Sequence, residues 1–532
     1  MRLIRKFNPF ITAIIIGFSG IVTPNLSFAD QLIQAQMPIK QLLNNLTTYT
    51  KKIQKQWHVP GVAVAVVKDN KIIYAKGFGE RNAKGQPVTP NTLFDIASLT
   101  KSFTAVMLGL QVDQGKYTWN TKVLSLYPSF KLYDQKTTQA FEIRDLIAHD
   151  SGLPADALDA LGDFGYSTDH TLYALRYVKP AAPFRNEFAY QDIFLAVAKK
   201  IIEKSSGHSY TADIHQWIFK PLGMNRSFIR TEPKLKQEKN VAQPFLLTYQ
   251  LKNYPYAPDS PYLSKQWALD IGLAGGGIHS TAVDLAKWLM FNMNNGSYDG
   301  KQLVSEKTME FIHTPKTVIE KNKSGKTVLA YGEGWFIDNS SYRPYTLLYH
   351  SGGGTGMHAF MAYIPQAKLG MVVLTNNYTT SLPTVLVHWF FDHYLYGKPQ
   401  KNWDKIYLKQ RTEAIQQAKK ATGSDHCLSD ANADLTQYVG TYYNPVYGQL
   451  LISKAEKKLS LTIGPQKIQW QLSACKKNTL KAFWPDPNGI PEPMLSPGQD
   501  LIYFKVDSNG NVKTMTIPFL NDTNNGVFVK KN

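Results

Sequence analysis

The run Gly61-Val62-Ala63-Val64-Ala65-Val66-Val67 constrains the chain more than any other stretch. Seven successive apolar residues, mostly β-branched and without polar alternation, describe a strand buried on both faces. Such a strand needs a layer of structure on each side of its sheet. Lys68-Asp69-Asn70-Lys71 reads as a turn, and Ile72-Ile73-Tyr74-Ala75-Lys76-Gly77 as the returning strand of a hairpin.

Helical patterns follow. Phe94 to Gln114 is a largely apolar helix of the kind enclosed within a domain. Residues 185–206 contain a second helix, with Ile193, Ala196, Val197, Ile201 and Ile202 on one face. Asp284 to Met293 is a third, with Ser280 or Thr281 available near its start. Residues 229–268 are rich in Lys, Gln, Pro and Tyr, lack periodicity, and read as a long excursion beside a cleft. Gly275-Gly276-Gly277 marks a tight backbone passage. Strands are expected at Thr346 to His350, Ala359 to Ile364 and Gly370 to Thr375.

A charged amphipathic helix from Asn402 to Ala421 leads into Thr422-Gly423-Ser424-Asp425, a domain boundary. Beyond it the apolar period becomes two. Gln449 to Ile452, Leu459 to Ile463, Ile468 to Leu472 and Leu501 to Val506 are strands, and Asp507 to Asn511 is a hairpin turn. The division is therefore 1–29 as a leader, 30–400 as the main domain, 401–430 as a helical linker and 431–532 as a small all-β, barrel-like domain.

The leader carries Arg2, Arg5 and Lys6, then the apolar stretch Ile11 to Val22, then the small-x-small site Ser27-Phe28-Ala29. That is the pattern of a secretory signal peptide, and it predicts an exported protein, periplasmic or secreted. A retained anchor is the alternative reading; no later stretch is apolar for long enough to span a bilayer. Net charge is +19, but the Lys and Arg residues are scattered and no nucleic-acid motif accompanies them, so no nucleic-acid partner is expected. Cys427 and Cys475 could form one disulfide in an oxidising compartment or remain two thiols, and two cysteines make a poor zinc site.

Chemistry enters at Ser98-Leu99-Thr100-Lys101. Three residues apart on a helix brings both side chains to one face. A serine hydroxyl is a weak nucleophile until a base takes its proton, and a lysine beside it can be that base. The pattern alone is cheap: Ser473-Ala474-Cys475-Lys476 repeats it in the β domain, where i and i+3 point to opposite faces of a strand. Partners raise its weight. Tyr190-Gln191-Asp192 precedes a helix, and its phenol can relay the serine proton. His350-Ser351-Gly352-Gly353-Gly354 ends a strand with glycines that let backbone N–H groups approach a substrate.

These three elements, in this order, resemble the class C β-lactamase and penicillin-binding-protein-related serine hydrolases. Pro60 to Val66, Leu146-Ile147-Ala148-His149-Asp150-Ser151-Gly152-Leu153-Pro154, Gly276 to Leu285 and Tyr331-Gly332-Glu333-Gly334-Trp335 are similar to further stretches of that family, so the likeness covers residues 45–397. The resemblance implies an α+β fold: an antiparallel sheet flanked by helices plus a helical lobe, with the site between them. It implies Ser98 as nucleophile, Lys101 as its proton partner and Tyr190 as general base and acid. Ser98 and Gly353 N–H groups would form the oxyanion hole, with Asp192, His350 and Gly352 lining the substrate site. It implies no metal or organic cofactor. The expected partner is a small-molecule or peptide substrate, peptidoglycan fragments among them. Residues after 430 resemble lipocalin-like modules appended to some members.

Two departures bear on substrate. The second motif of the family is usually Tyr-x-Asn, and here it ends in Asp192. The third is Lys-Thr-Gly in lactamases, and here it is His350-Ser351-Gly352, nearer the esterases and peptidases of the family. A carboxylate repels anions and a neutral histidine does not attract them, so both changes argue against efficient penicillin hydrolysis. A binding protein that kept the fold and lost its activity is the alternative of another class.

Overall fold

The computed structural model describes residues 36–247, 252–255, 272–340, 345–354, 356–378, 380–424, 435–455, 458–483, 501–520 and 525–531. The leader at 1–29 lies outside them, as does Cys427.

Helix α1 (Ile39–Gln56) leads into strands β1 (Gly61–Lys68) and β2 (Lys71–Gly79). Asp69 and Asn70 both take positive φ, as a two-residue hairpin turn with primed geometry requires. Helices α2 (Thr100–Asp113), α3 (Ile193–Ser206) and α4 (Ala282–Met293) follow. The sheet is then completed by β3 (Thr317–Lys321), β4 (Thr327–Tyr331), β5 (Phe336–Asp338), β6 (Leu347–Gly354), β7 (Met357–Ile364) and β8 (Leu369–Thr375). Its order is β3-β4-β5-β6-β7-β8-β1-β2, and every pairing is antiparallel.

The two-faced burial expected of β1 is realised. Val62, Val64 and Val66 join Leu42 and Leu46 of α1 and Leu386 and Phe390 of α5 (Leu382–Tyr396). Ala63, Ala65 and Val67 join Trp288 and Leu289 of α4 on the opposite face, where the small alanines let α4 lie close. α2 is buried on nearly all sides, stacked through Phe103 on Trp288 at 3.8 Å between ring centres. α4 is capped by the Thr281 side chain, which accepts from the Asp284 N–H.

The linker region forms helix α6 (Trp403–Ser424), which is not a free tether. Its Trp403 Nε1 donates to Asp392 of α5 at 2.6 Å, and its Asp404 accepts from Trp57 Nε1 at 2.7 Å. The C-terminal domain is a closed barrel of eight strands, β9 (Gly440–Asn444), β10 (Gly448–Ala455), β11 (Lys458–Ile463), β12 (Ile468–Lys476), β13 (Thr479–Phe483), β14 (Leu501–Val506), β15 (Val512–Thr516) and β16 (Val527–Lys530). Closure runs through Tyr442 opposite Lys530 and Tyr443 opposite Val529. Closing the sheet removes its edges. Cys475 on β12 is disulfide-bonded. Among the described residues no helix is long and apolar enough to cross a membrane.

Two local expectations need correction. The helix expected from Phe94 begins only at Thr100. Phe94 and Asp95 pair instead with Ser280 and His279 as a short strand, and Ala97–Leu99 forms a 3₁₀ turn. Ladder pairing holds the first residues extended, and Ala97 at φ +45° reverses the chain before the helix can start. β6 does not stop at His350; its ladder with β7 continues through Gly354 opposite Met357, so the glycines belong to the strand.

Candidate active site

Ser98 sits on the 3₁₀ turn, one residue after left-handed Ala97, whose N–H donates to Asp95 Oδ1 at 3.0 Å. Lys101 lies in the first turn of α2. Its Nζ donates to Ser98 Oγ at 2.9 Å and to the Gly275 carbonyl at 3.0 Å, and it pairs with Asp192 Oδ1 at 2.5 Å. The Lys101 side chain is wholly buried, and that of Asp192 is 19% exposed. The same Nζ lies 4.8 Å from the centre of the Tyr190 ring. Three stretches of the chain, around Ser98, Tyr190–Asp192 and Gly275, therefore surround one amine, and the glycine passage at 275–277 supplies its carbonyl. A side chain at Gly275 would crowd Asp192 Oδ1 at 3.3 Å.

Tyr190 precedes α3, where Asp192 is the residue ahead of the first helical turn. The backbone around Tyr190 is held by the loop His149 to Asp156. Ala189 N–H donates to the His149 carbonyl at 2.8 Å, and Asp156 N–H donates to the Tyr190 carbonyl at 2.7 Å. Gln191, wholly buried, donates its side-chain amide to the Leu153 carbonyl at 2.5 Å and accepts from Ser151 Oγ at 2.6 Å. The His149 ring lies against Tyr190 at 4.3 Å between centres. His149 Nδ1 accepts from the Gln191 N–H at 3.2 Å, which leaves the proton on Nε2 of a neutral ring. Burial first, and Lys101 second, hold His149 well below the usual histidine range.

His350 is buried on β6. Its Nδ1 lies 2.6 Å from the Ser351 carbonyl, which can only accept, so that nitrogen bears the proton. Nε2 then accepts from the Tyr331 hydroxyl at 2.9 Å. Burial pushes the Tyr331 phenol far up, which keeps the donated proton in place. Burial, with Lys101 next, drives His350 down to about 3, so it is neutral near pH 7. The glycines after it explain themselves by contact. A Cβ on Gly352 would fall 2.1 Å from the Ile96 carbonyl oxygen, and one on Gly354 would fall 3.2 Å from Ala97 Cβ. A Cβ on Gly353 would meet the Tyr378 ring at 2.7 Å. The strand therefore runs directly beside the Ser98 turn, as two backbone donors converging on one oxygen require.

Behind this wall lie two buried carboxyls. Asp150 is pushed up to about 7, by burial and then by Asp145. Glu333 is wholly buried with neither oxygen hydrogen-bonded, and burial raises it well above the carboxylate range.

All seven residues singled out in the sequence thus lie around the Lys101 amine or on the strand beside Ser98. The second S-x-x-K does not: Ser473 and Lys476 belong to β12 of the barrel, with Lys476 exposed. Much of the excursion at 229–268 lies outside the described residues; its described part includes two short antiparallel strands that pair Phe245 with Pro255. His149, Gln191 and Tyr331 carry no role in the sequence reading, although His149 and Tyr331 stand inside the stretches that carried the resemblance. Their signal is positional only, because stacking and tautomer choice follow from three-dimensional packing.

The family model for Beta-lactamase matches residues 46–384, and one described as a domain of unknown function (DUF3471) matches residues 429–527. The chain is 30% identical over 430 residues to the unguisins hydrolase ungD′ of Aspergillus campestris, covering 77% of each chain. It is 26% identical over 339 residues to Protein flp of Staphylococcus aureus, covering 62% of each. Among solved structures, the octameric penicillin-binding protein homologue from Pyrococcus abyssi aligns over 92% of this chain and 98% of its own, with a TM-score of 0.58 at 22% identity. With a family match across most of the main domain and the site motifs assembled in one place, the chain belongs to the beta-lactamase family of serine hydrolases.

Proposed function

We propose that the protein is an exported hydrolase that cleaves ester or amide bonds through an acyl-enzyme on Ser98. The observation that carries this reading is the Lys101 amine, 2.9 Å from Ser98 Oγ while paired with Asp192 and set beside the Tyr190 ring. An amine bound to a carboxylate at that distance is an ammonium, so Lys101 acts as a charged donor to the serine oxygen and not as the first base. The base is then Tyr190, whose ring lies 4.8 Å from that amine. Tyr190 takes the Ser98 proton as Oγ attacks the substrate carbonyl. The Ser98 and Gly353 N–H groups receive the oxyanion. Tyr190 returns the proton to the departing alcohol or amine, then takes one from the water that attacks the acyl group and passes it to Ser98 Oγ as the acyl–oxygen bond breaks.

Export is supported by the leader pattern and by the disulfide at Cys475, which suits an oxidising compartment. D-amino-acid peptides and peptidoglycan fragments are the narrower substrates this location favours. A fluorophosphonate or short acyl-ester probe tests the reading. It should label the wild type and leave Ser98→Ala unlabelled; labelling that survives the substitution refutes the assignment. Muropeptide digestion and nitrocefin turnover separate the peptidase and lactamase branches. An inactive binding protein would show no labelling at all.

A further inference from the structure

The barrel meets the helical lobe at one of its two ends. In an up-and-down barrel alternate turns share an end, which among the described residues groups the connections β9–β10, β11–β12 and β15–β16. Residues 164–170 of the main domain touch all three. The Phe164 ring, wholly buried, faces buried Trp470 at 5.9 Å and Phe519 at 6.4 Å between centres. The Tyr166 hydroxyl donates to the Tyr447 carbonyl, and His170 Nε2 lies 2.9 Å from the Val446 carbonyl. The fit leaves no slack: a Cβ on Gly464 would fall 2.4 Å from the Phe164 carbonyl oxygen, and one on Gly165 would fall 2.1 Å from Gln466 Cγ. Phe164 thus packs against that end of the barrel.

The other end of the same segment reaches the active site in eight residues. Tyr166 and Phe164 N–H groups donate to the Leu161 carbonyl, Leu161 N–H to Leu158, Asp159 N–H to Asp156, and Asp156 N–H to the Tyr190 carbonyl. Asp156 and Leu158 hold positive φ, at 57° and 63°, a conformation that packing on both sides must maintain. We propose that the barrel is a clamp on the active-site wall, and that Phe164 is a positioning residue which, through residues 156–164, fixes the backbone carrying Tyr190. The activity arm of the test rests on the hydrolase reading above; the exchange arm does not.

The test uses the full chain with Phe164→Ala, Phe164→Leu and Tyr166→Phe, the last retained in case the alanine variant fails to fold. Hydrogen exchange is followed by peptide. In Phe164→Ala, peptides covering 444–447 and 464–470 should exchange faster, and those covering 152–160 and 186–192 should follow by about tenfold, with β1, β7 and β8 unchanged. Phe164→Leu, which keeps apolar bulk, should restore protection. Ser98 labelling should slow by about tenfold to a hundredfold, and turnover of a short acyl ester should lose kcat with KM nearly constant. Unchanged exchange at 186–192 while the barrel end loosens would overturn the clamp. Uniformly faster exchange across the whole chain would overturn it too, by making Phe164 a residue of general stability. If the wild type is not labelled at all, the hydrolase reading fails and exchange alone decides the clamp.

Discussion

Gly352→Ala tests the closest contact at the site. The added Cβ would lie 2.1 Å from the Ile96 carbonyl oxygen and 2.9 Å from Leu99 Cδ1. Ordinary van der Waals contact begins near 3.4 Å, so β6 and the Ser98 turn must part by about 1.3 Å. The obstacle is backbone, so no side-chain rotation relieves it. β6 is held on both flanks, by β5 and β7, and Ile96, just ahead of the turn, donates its N–H to the Ile278 carbonyl. Overpacking of this kind costs about 1–3 kcal/mol of stability. A displacement of about 1 Å between nucleophile and oxyanion donors costs about a hundredfold in rate. The expected result is a folded protein whose second-order rate of fluorophosphonate labelling falls about a hundredfold, with a lowered Tm. Gly353→Ala is the internal control: its Cβ would meet the edge of the Tyr378 ring, a side chain that can turn aside, so its stability loss should be smaller. A Gly352→Ala protein that melts and labels like the wild type would refute the packing of strand against turn.

Asp192→Asn removes the carboxylate from a buried amine while leaving an amide oxygen to accept; stability should drop by about 1–3 kcal/mol in thermal denaturation. Tyr331→Phe orphans His350 Nε2 and should cost about 1–3 kcal/mol in thermal denaturation. Asp150, with its carboxyl raised in the folded state to about 7, binds its proton more tightly when folded; its contribution to stability is present below about pH 4 and is lost as pH rises through about 7, by up to about 4 kcal/mol. Asp150→Asn should therefore flatten the fall of Tm between pH 5 and 8, and an unchanged slope would remove Asp150 from the account.

What the sequence disclosed tracks what is local. β1 was legible because seven apolar residues in a row leave a strand few alternatives, and the barrel because period two repeats along its strands. The start of α2 was not, since Phe94 and Asp95 are held extended by Ser280 and His279, nearly two hundred residues away. The roles of His149 and Tyr331 were hidden for the same reason: a ring stacked on Tyr190 and a hydroxyl that selects a tautomer are properties of assembled neighbours. Asp192 was visible as a departure from a motif, but its partner was not. Only the fold reveals that the odd carboxylate faces the Lys101 amine.

That pairing, with His350, decides which substrates the cleft can welcome. Lys101 is a cation already matched by Asp192, and it contributes little net attraction for a substrate carboxylate. His350 would have to supply it. With its proton affinity pushed down to about 3, charging the ring at pH 7 costs about 5 kcal/mol. A carboxylate arriving about 4 Å away would return about 4 kcal/mol at an effective dielectric near 20. The two terms nearly cancel, so the ring adds no net attraction for a carboxylate. Neutral acyl groups, or those bearing a nearby amine, meet none of these penalties. The selectivity of the site is therefore expected to lie with uncharged or cationic esters and amides, and comparing kcat/KM for an ester series differing only in acyl charge measures it directly: a preference for the anionic member would break the electrostatic argument.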